Sequence, residues 1–131
     1  MDISVVITTC NRPAFLVEAL AGIVSQELQP KEILIIDDCS EVSYQEAYNA
    51  IKDVNAQFLR LENKSGANRA RNIGIKESSG TVIAFLDDDD VWLPDYLSEI
   101  SKQYELGADA VVTGFKQLGK ESVLVVNKDV R

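Results

Sequence analysis

Four consecutive aspartates, Asp87, Asp88, Asp89 and Asp90, follow an apolar run that has the character of a strand buried on both faces. Two carboxylates about 5 Å apart repel by roughly 3 kcal/mol at an effective dielectric of about 20, so the cluster needs a compensating partner. A solvated acidic loop is the simplest interpretation of such a run. Carboxylate oxygens also suit Mg²⁺ or Mn²⁺, which can bridge one or two aspartates to the phosphates of a ligand.

Polar residues also stand at the ends of two other strand-like runs. Thr9 and Asn11 end the first, and Asp38 and Ser40 end the second. Each group has a plain structural interpretation, because Asn11 could cap a helix and Asp38-x-Ser40 could form an ordinary turn. If the strands are parallel, however, all three groups meet at one edge of the sheet, where open α/β sheets bind their ligands.

Strand-like and helix-like segments alternate along the chain. Predicted strands cover residues 3–9, 32–38, 57–62, 80–86, 108–116 and 122–126, and predicted helices cover residues 13–26, 43–53, 66–80 and a segment from Pro94. Prolines suit the first turns at Pro13 and Pro94, Ser43 begins a capping-box pattern, and Gly80 is placed to end a helix. This order predicts an α/β fold in which a mostly parallel sheet, joined by right-handed crossovers, carries helices on both faces.

Composition narrows the possible functions. The 131 residues are 46% hydrophobic and 26% charged, which predicts a single globular domain over residues 1–131. A net charge of -8 argues against nucleic acid or an anionic membrane as the main partner. There is no histidine, so imidazole-based zinc sites and Ser-His-Asp catalysis are excluded. Neither a signal peptide nor a membrane-spanning run is evident, and we expect a cytoplasmic protein.

The two cysteines and the missing phosphate loops narrow the chemistry further. Cys10 and Cys39 follow strands that we expect to be neighbours, and in a reducing cytoplasm they should remain free thiols. Neither G-x-G-x-x-G nor G-x-x-x-x-G-K-[ST] occurs, which removes the main support for dinucleotide-binding and P-loop interpretations. A divalent metal on carboxylates is the remaining route to a phosphate ligand.

Four motifs in order, SVVITTCNRP, EILIIDDCS, GANRARNIGI and GTVIAFLDDDDVWLPDYL, resemble the N-terminal nucleotide-binding part of an inverting family 2 glycosyltransferase. Each motif is weak alone, and their combination extends over nearly the whole chain up to Lys116. The resemblance implies the GT-A fold, Rossmann-like and here truncated. Thr8 and Cys10 depart from the family, which more often has proline and an aromatic residue there, and the resemblance implies that these positions contact the base.

The resemblance also implies roles for individual residues. Thr9 and Asn11 would line the base and ribose pocket, and Asp38 would bind the pyrimidine. Arg71 and Asn72 match the family's Ala-Arg-Asn segment near the nucleotide. In the aspartate run, which corresponds to the family's DXD motif, Asp88 would face the ribose while Asp87 and Asp89 would hold Mn²⁺ or Mg²⁺.

Helical geometry distinguishes the two arginines of this segment. Arg69 and Arg71 lie about 200° apart around a helix, so both cannot face one ligand, and we choose Arg71 because the motif matches there. Trp92 is expected to anchor the core rather than to bind a sugar.

The reaction implied by the resemblance is transfer of a sugar from a nucleotide diphosphate sugar, with uracil the expected base, to the hydroxyl of an unidentified glycan, lipid or other acceptor. Such a transfer with inversion needs a general base. Asp95, Glu99 and Asp109 do not fit that role, and the base is expected beyond Arg131. The chain is therefore expected to lack the acceptor-binding part, to be inactive alone, and to belong to a protein that could be peripheral at the inner face of the membrane.

Two alternatives stay open. A non-catalytic nucleotide-sugar-binding module would carry the same motifs and lack only the base. The segment ILIIDDCS also resembles the acidic pair of a phosphoacceptor receiver domain, although that pair follows the first strand of its fold and here a strand and a helix come before it.

Overall fold

A parallel sheet forms the centre of the molecule in the computed structural model, which describes residues 2–116, 123–124 and 128–130. Its strands, in spatial order, are β3 (Ala56–Arg60), β2 (Glu32–Asp37), β1 (Ile3–Thr9) and β4 (Val82–Asp87). Every neighbouring pair in this sheet is parallel, as the sequence predicts. The helices are α1 (Pro13–Val24), α2 (Gln45–Ala50), α3 (Ala67–Glu77) and α4 (Tyr96–Glu105).

Short antiparallel pairs follow the sheet. Strand β5 (Ala110–Val112) pairs with β8 (Lys128–Val130), and β6 (Phe115–Lys116) pairs with β7 (Val123–Leu124). The predicted strand over residues 108–116 is thus two strands, separated at Thr113 and Gly114. Gly119, which the sequence places between the last two predicted strands, lies outside the described residues.

Helices cover both faces of the sheet, which confirms the predicted layers. On one face, α1, α2 and α4 pack against alternate residues of β1 and β2, including Val5, Ile7 and Ile35. On the other face, α3 packs against Val6, Leu34 and Ile36. Successive side chains of a strand point to opposite faces, so the continuous apolar runs in the sequence reflect strands buried on both sides.

Gly74 sets the distance between α3 and the sheet. A Cβ atom at this position would collide with the side chain of Val6 on β1. A residue without a side chain is therefore needed for close packing of α3 on β1. Gly74 lies about one helical turn after Arg71, so this packing also positions the part of α3 that carries Arg71.

The strand register brings the polar ends of three strands to one edge. Thr9 is level with Asp37 on β2, and Thr8 is level with Asp87 on β4. The chain leaves β1 toward α1 on one face, whereas α3, which leads into β4, lies on the other face. The β1/β4 boundary is therefore the topological switch point, where open α/β sheets place a ligand crevice.

Several predicted boundaries need correction. Helix α1 ends at Val24 instead of residue 26, and α3 ends at Glu77, three residues before Gly80. The amide of Gly80 instead donates to Oγ of Ser4, which ties the start of β4 to β1. Pro94 lies outside α4, because the helix begins at Tyr96.

The capping box at Ser43 is also wrong. Helix α2 begins only at Gln45, and no side chain caps it. The Ser43 hydroxyl accepts a 3.3 Å hydrogen bond from the Gln45 amide, so it stabilises a local turn that competes with the helical start.

Two apolar residues near the aspartates differ in their surroundings. Phe85 on β4 is 45% exposed, so the expectation that this strand is buried on both faces is wrong on the α3 side. Trp92 is 8% exposed and stacks on Tyr96, which confirms that it anchors the core.

Among the helices of the described residues, none has the length and apolar character needed to cross a bilayer.

Candidate functional site

The four aspartates form a tight turn beyond the end of β4. The Asp90 amide donates to the carbonyl oxygen of Asp87 over 3.0 Å and closes the turn. Carboxylate oxygens of Asp87, Asp89 and Asp90 lie within 4.8 Å of one another, and all three residues are exposed. Asp88 is buried, with a relative exposure of 1%. The run therefore presents three carboxylates to solvent and places one in the interior.

Asp88 joins the end of β4 to the end of β1. Its Oδ2 accepts hydrogen bonds from Thr9 Oγ1 at 2.9 Å and from Arg12 Nε at 3.2 Å. Arg12 Nη2 lies 2.5 Å from Oδ1, yet this buried oxygen has no partner in hydrogen-bonding geometry. Burial raises the pKa of Asp88 and outweighs the Thr9 hydrogen bond and the charge of Arg12, which act in the opposite direction.

Two arginines flank the exposed carboxylates. Arg12 Nη1 lies 3.5 Å from Asp89 Oδ2, and Arg71 Nη2 lies 2.9 Å from Asp87 Oδ1. Asp90 has no ion pair among the described residues. The pKa of Asp90 is raised, first by partial burial and then by repulsion from the other three aspartates. The cluster is thus only partly neutralised by the protein's own cations.

These residues fit a divalent cation. Three carboxylates with oxygens this close are the hard donors that Mg²⁺ and Mn²⁺ prefer. Asp87 and Asp89 would hold the ion, as the resemblance implies, with Asp90 within reach.

Tyr44 is the centre of a buried hydroxyl network. Its OH lies 2.9 Å from Thr9 Oγ1 and 3.1 Å from Ser40 Oγ, and it accepts the Arg12 amide N–H at 3.2 Å. The side chain is 1% exposed. Tyr44 therefore fixes the loops after β1 and β2 relative to each other, a role that nothing in its local sequence signals.

Asn11 links the same two loops from the surface. Its amide N–H donates to Ser40 Oγ, and its Oδ1 accepts the Glu41 amide N–H, both at 2.8 Å. Its φ of 54° is left-handed, a conformation that asparagine tolerates better than most residues. The helix-cap interpretation of Asn11 is wrong, since the cap position of α1 is Arg12 and no side chain caps that helix.

Asp38 holds the start of α3. Its two carboxylate oxygens accept the amide N–H groups of Ser65 at 2.7 Å and Gly66 at 2.9 Å. It is 6% exposed, so little of it faces solvent. Each oxygen retains a second lone pair, and a ligand could still use one. The interpretation as an ordinary Asp38-x-Ser40 turn is wrong, because it is Asp37 that binds the amide and hydroxyl of Ser40.

Asp37 is the most enclosed carboxylate at this edge. It is fully buried and accepts a 2.6 Å hydrogen bond from Arg60 Nε in addition to the two from Ser40. Arg60 also donates to the carbonyl oxygen of Val42. Sequence reasoning missed both Asp37 and Arg60, because an ion pair between neighbouring strands has no local signature.

Arg69 and Arg71 of α3 point in different directions, as their separation of about 200° around the helix predicts. Arg71 reaches Asp87 and also donates to Asn68 Oδ1 at 3.0 Å. Arg69 lines a separate groove of about 620 Å³, formed mainly by the β3–α3 loop. Asn72 is exposed and, within the described part of the chain, forms no hydrogen bond to another site residue.

The cysteines follow adjacent strands, as expected. Both are thiols here, and Cys39 Sγ donates to the carbonyl oxygen of Glu62 at 3.4 Å. That both remain reduced in solution stays a prediction, to be tested by thiol titration without reductant.

A profile of the family described as "Glycosyl transferase family 2" matches residues 4–127. The uncharacterized glycosyltransferase YwdF of Bacillus subtilis is 36% identical over 121 residues, which cover 89% of this chain and 45% of that protein. The chain thus spans less than half the length of this relative.

Two solved structures have a similar fold. S. aureus TarS 1-349 in complex with UDP-GlcNAc matches with a TM-score of 0.82 and 24% identity, over 95% of this chain and 37% of that one. The mannosyltransferase PcManGT from Pyrobaculum calidifontis, in complex with GDP-Man and Mn²⁺, matches with a TM-score of 0.77 and 20% identity, over 88% of this chain and 35% of that one. At these identities the likeness concerns the fold.

Proposed function

The chain belongs to glycosyl transferase family 2 and has the GT-A fold, and on this basis we propose that it binds a nucleotide diphosphate sugar, a UDP-sugar, for transfer to an acceptor hydroxyl with inversion. The observation that carries the proposal is the incompletely neutralised aspartate cluster at the β1/β4 switch point, where three carboxylates lie within 4.8 Å. Such an edge is suited to a phosphate ligand only if cations accompany it.

The proposed binding roles follow the edge of the sheet. Thr9 and Asn11 line the base and ribose pocket, and Asp38 accepts a hydrogen bond from the imide N–H of the base. Asp88 faces the ribose. A shared hydrogen-bond network supports these roles, because Thr9 binds Asp88 directly and Asn11 fixes the neighbouring loop.

Asp87 and Asp89 are the proposed ligands of Mn²⁺ or Mg²⁺, and Arg71 and Asn72 stand on the adjacent helix near the diphosphate. A divalent cation held by these two carboxylates would supply positive charge near the diphosphate leaving group. Arg71 is held at Asp87 and orients that carboxylate. PcManGT was solved with GDP-Man and Mn²⁺, and TarS with UDP-GlcNAc, which supports this assignment through the shared fold.

The general base is proposed to lie beyond Arg131, together with the acceptor-binding part. Loss of a general base costs about 10²–10⁴ in rate, and loss of acceptor positioning removes more. Residues 1–131 should therefore bind the nucleotide but release UDP from a UDP-sugar only slowly and independently of acceptor. Acceptor-dependent release would place the base within this chain and make Asp95, Glu99 and Asp109 the first positions to mutate.

The proposed location is the cytoplasm, with the longer protein peripheral at the inner face of the membrane. The acidic charge of this domain gives it no attraction of its own to an anionic bilayer. Fractionation of cells that express the longer protein tests this: release by salt supports a peripheral protein, and extraction only by detergent contradicts it.

Calorimetry tests the proposed ligand. UDP should bind in the presence of Mn²⁺ and much more weakly after EDTA, because metal and diphosphate each lower the electrostatic cost of placing the other beside Asp88 and Asp89. Asp89→Asn should show the same loss, whereas Glu99→Gln, on α4 and paired with Lys102, should bind as the wild type does. Equal UDP affinity with and without metal would refute the proposal.

A further inference from the structure

Arg12 differs from the other paired arginines in what holds its side chain. Its three guanidinium nitrogens are all directed at Asp88 and Asp89. Arg60, by comparison, is also held by a backbone carbonyl, and Arg71 by Asn68. The Arg12 side chain is 47% exposed. Among the described residues, the aspartate run supplies all of its hydrogen bonds and ion pairs.

The position of the Arg12 backbone is nevertheless fixed. Its amide N–H is bound by the buried Tyr44 hydroxyl, and its guanidinium carbon lies 5.9 Å from the centre of the Phe15 ring. A fixed Cα with a half-exposed, long side chain allows the guanidinium to change partners while staying near the same edge of the sheet.

The net charge of the aspartate run indicates when the Arg12 guanidinium would change partners. Arg12 and Arg71 neutralise part of the four-aspartate run and leave about two negative charges, the equivalent of one divalent cation. A cation entering at Asp87 and Asp89 would lie beside the Arg12 guanidinium, which is 3.5 Å from Asp89. Two cations on the same carboxylates repel, so the cation and Arg12 must compete.

We propose that Arg12 is the resident counter-ion of the aspartate run, that a divalent cation displaces it from Asp89, and that its freed donors then bind the diphosphate of the incoming ligand. The second half rests on the proposed function; the first half does not. An arginine fork matches the paired oxygens of a phosphate, and this gives the displaced side chain an anionic partner at the same edge.

The first test measures Mn²⁺ alone, by electron paramagnetic resonance of the free ion at low ionic strength. Arg12→Gln should bind Mn²⁺ about 3–10-fold more tightly than the wild type, because a competing cation has been removed from the carboxylates. Arg69→Gln is the matched control, since it removes the same charge from a side chain that lines another groove, and it should change affinity less than twofold. Arg12→Lys, which keeps the charge, should stay near the wild type.

Unchanged or weaker Mn²⁺ binding by Arg12→Gln would overturn the competition, and urea denaturation of each variant shows whether a loss reflects unfolding.

The second test uses UDP and uridine at saturating Mn²⁺. Arg12→Gln should weaken UDP binding about 10-fold and leave uridine binding unchanged, because only UDP carries the diphosphate. Equal losses for both ligands would overturn the diphosphate contact. If the wild type binds no UDP, the proposed function fails while the Mn²⁺ comparison still decides the counter-ion role.

Discussion

Two aspartate groups at the same edge of the sheet have opposite surroundings. At the end of β2, Asp37 and Asp38 are buried, and each accepts hydrogen bonds from the protein's own N–H or O–H donors. At the end of β4, Asp87, Asp89 and Asp90 are exposed and crowd one another, with fewer internal donors than carboxylate oxygens. Each carboxylate of the first group is held by donors of the fold, whereas the second group has only Arg12 and Arg71 as ion-pair partners among the described residues.

Within a single crevice, this difference separates carboxylates that hold the loops of the fold from carboxylates that carry uncompensated charge. A carboxylate whose oxygens are filled by backbone amides stabilises the loops around it. A cluster with excess negative charge destabilises the unliganded protein, and under the proposed function a divalent cation would relieve that cost. Four measurements test the contrast.

Asp37→Ala should have the largest effect. It leaves the buried amide of Ser40 and the Arg60 guanidinium without their acceptor, and we expect a loss of about 2–4 kcal/mol in the free energy of unfolding, reduced by the partial exposure of Arg60. Urea denaturation measures it. Asp53→Ala, at an exposed position without hydrogen bonds in the described structure, should change stability by less than about 0.5 kcal/mol. Similar values for the two variants would contradict the structural role of Asp37.

Asp38→Ala should cost about 1–3 kcal/mol of stability, because two amides at the start of α3 lose their acceptor. Asp38→Asn should cost nearly as much, since its NH₂ group would face one of those amides. If Asp38 also binds the base, UDP affinity should fall by about 1.5–3 kcal/mol in the folded variant. A variant that binds UDP as well as the wild type would restrict Asp38 to its structural role.

Asp90→Asn should act in the opposite direction and stabilise the protein by about 0.5–1 kcal/mol, because it removes repulsion with its three neighbours. The gain should shrink in high salt, which screens exposed charges. The same variant should bind Mn²⁺ more weakly. A destabilised Asp90→Asn would show that the β4 group is already compensated by the fold.

The smallest effect is on pH dependence. The pKa values of Asp88 and Asp90 are raised in the folded state, so the stability that their protonation contributes is fully present below the unfolded pKa near 3.8 and is lost as the pH rises through the folded values. The stability advantage of Asp90→Asn over the wild type should therefore shrink as the pH falls from 7 toward 4. Urea denaturation at each pH measures the difference, and an advantage that grows on acidification would contradict the raised pKa of Asp90.

Sequence patterns identified the elements of the sheet well where the periodicity was strong. The bounds of β1 were predicted as the structure has them, and β2 differs by one residue. Errors occurred at helix ends, such as Ser43 and Gly80, because a cap or a terminating glycine acts only when the local chain adopts the required geometry. The exposure of Phe85 was missed because burial depends on what covers a strand, which the strand's own residues do not specify.

The candidate site was only half visible in the sequence. The aspartate run and Thr9 were recognised from residue type, position after a strand, and resemblance to a family. Tyr44 and Arg12 were not identified, although one fixes the loops and the other neutralises Asp88. Their roles depend on partners 32 and 76 residues away along the chain, and no local pattern encodes such contacts.

The sequence alone determined the alternation of strands and helices, and hence which residues stand at the carboxyl ends of strands, because these follow from local periodicity. Only the tertiary structure decided which aspartates have hydrogen-bond donors of the protein at their carboxylate oxygens. Asp37 and Asp90 have the same chemistry and both follow a strand, yet Asp37 receives the hydroxyl and amide of Ser40, whereas Asp90 has no ion pair within the described part of the chain. The number of donors around a carboxylate is set by which distant segments pack against it, and that number depends on the whole fold.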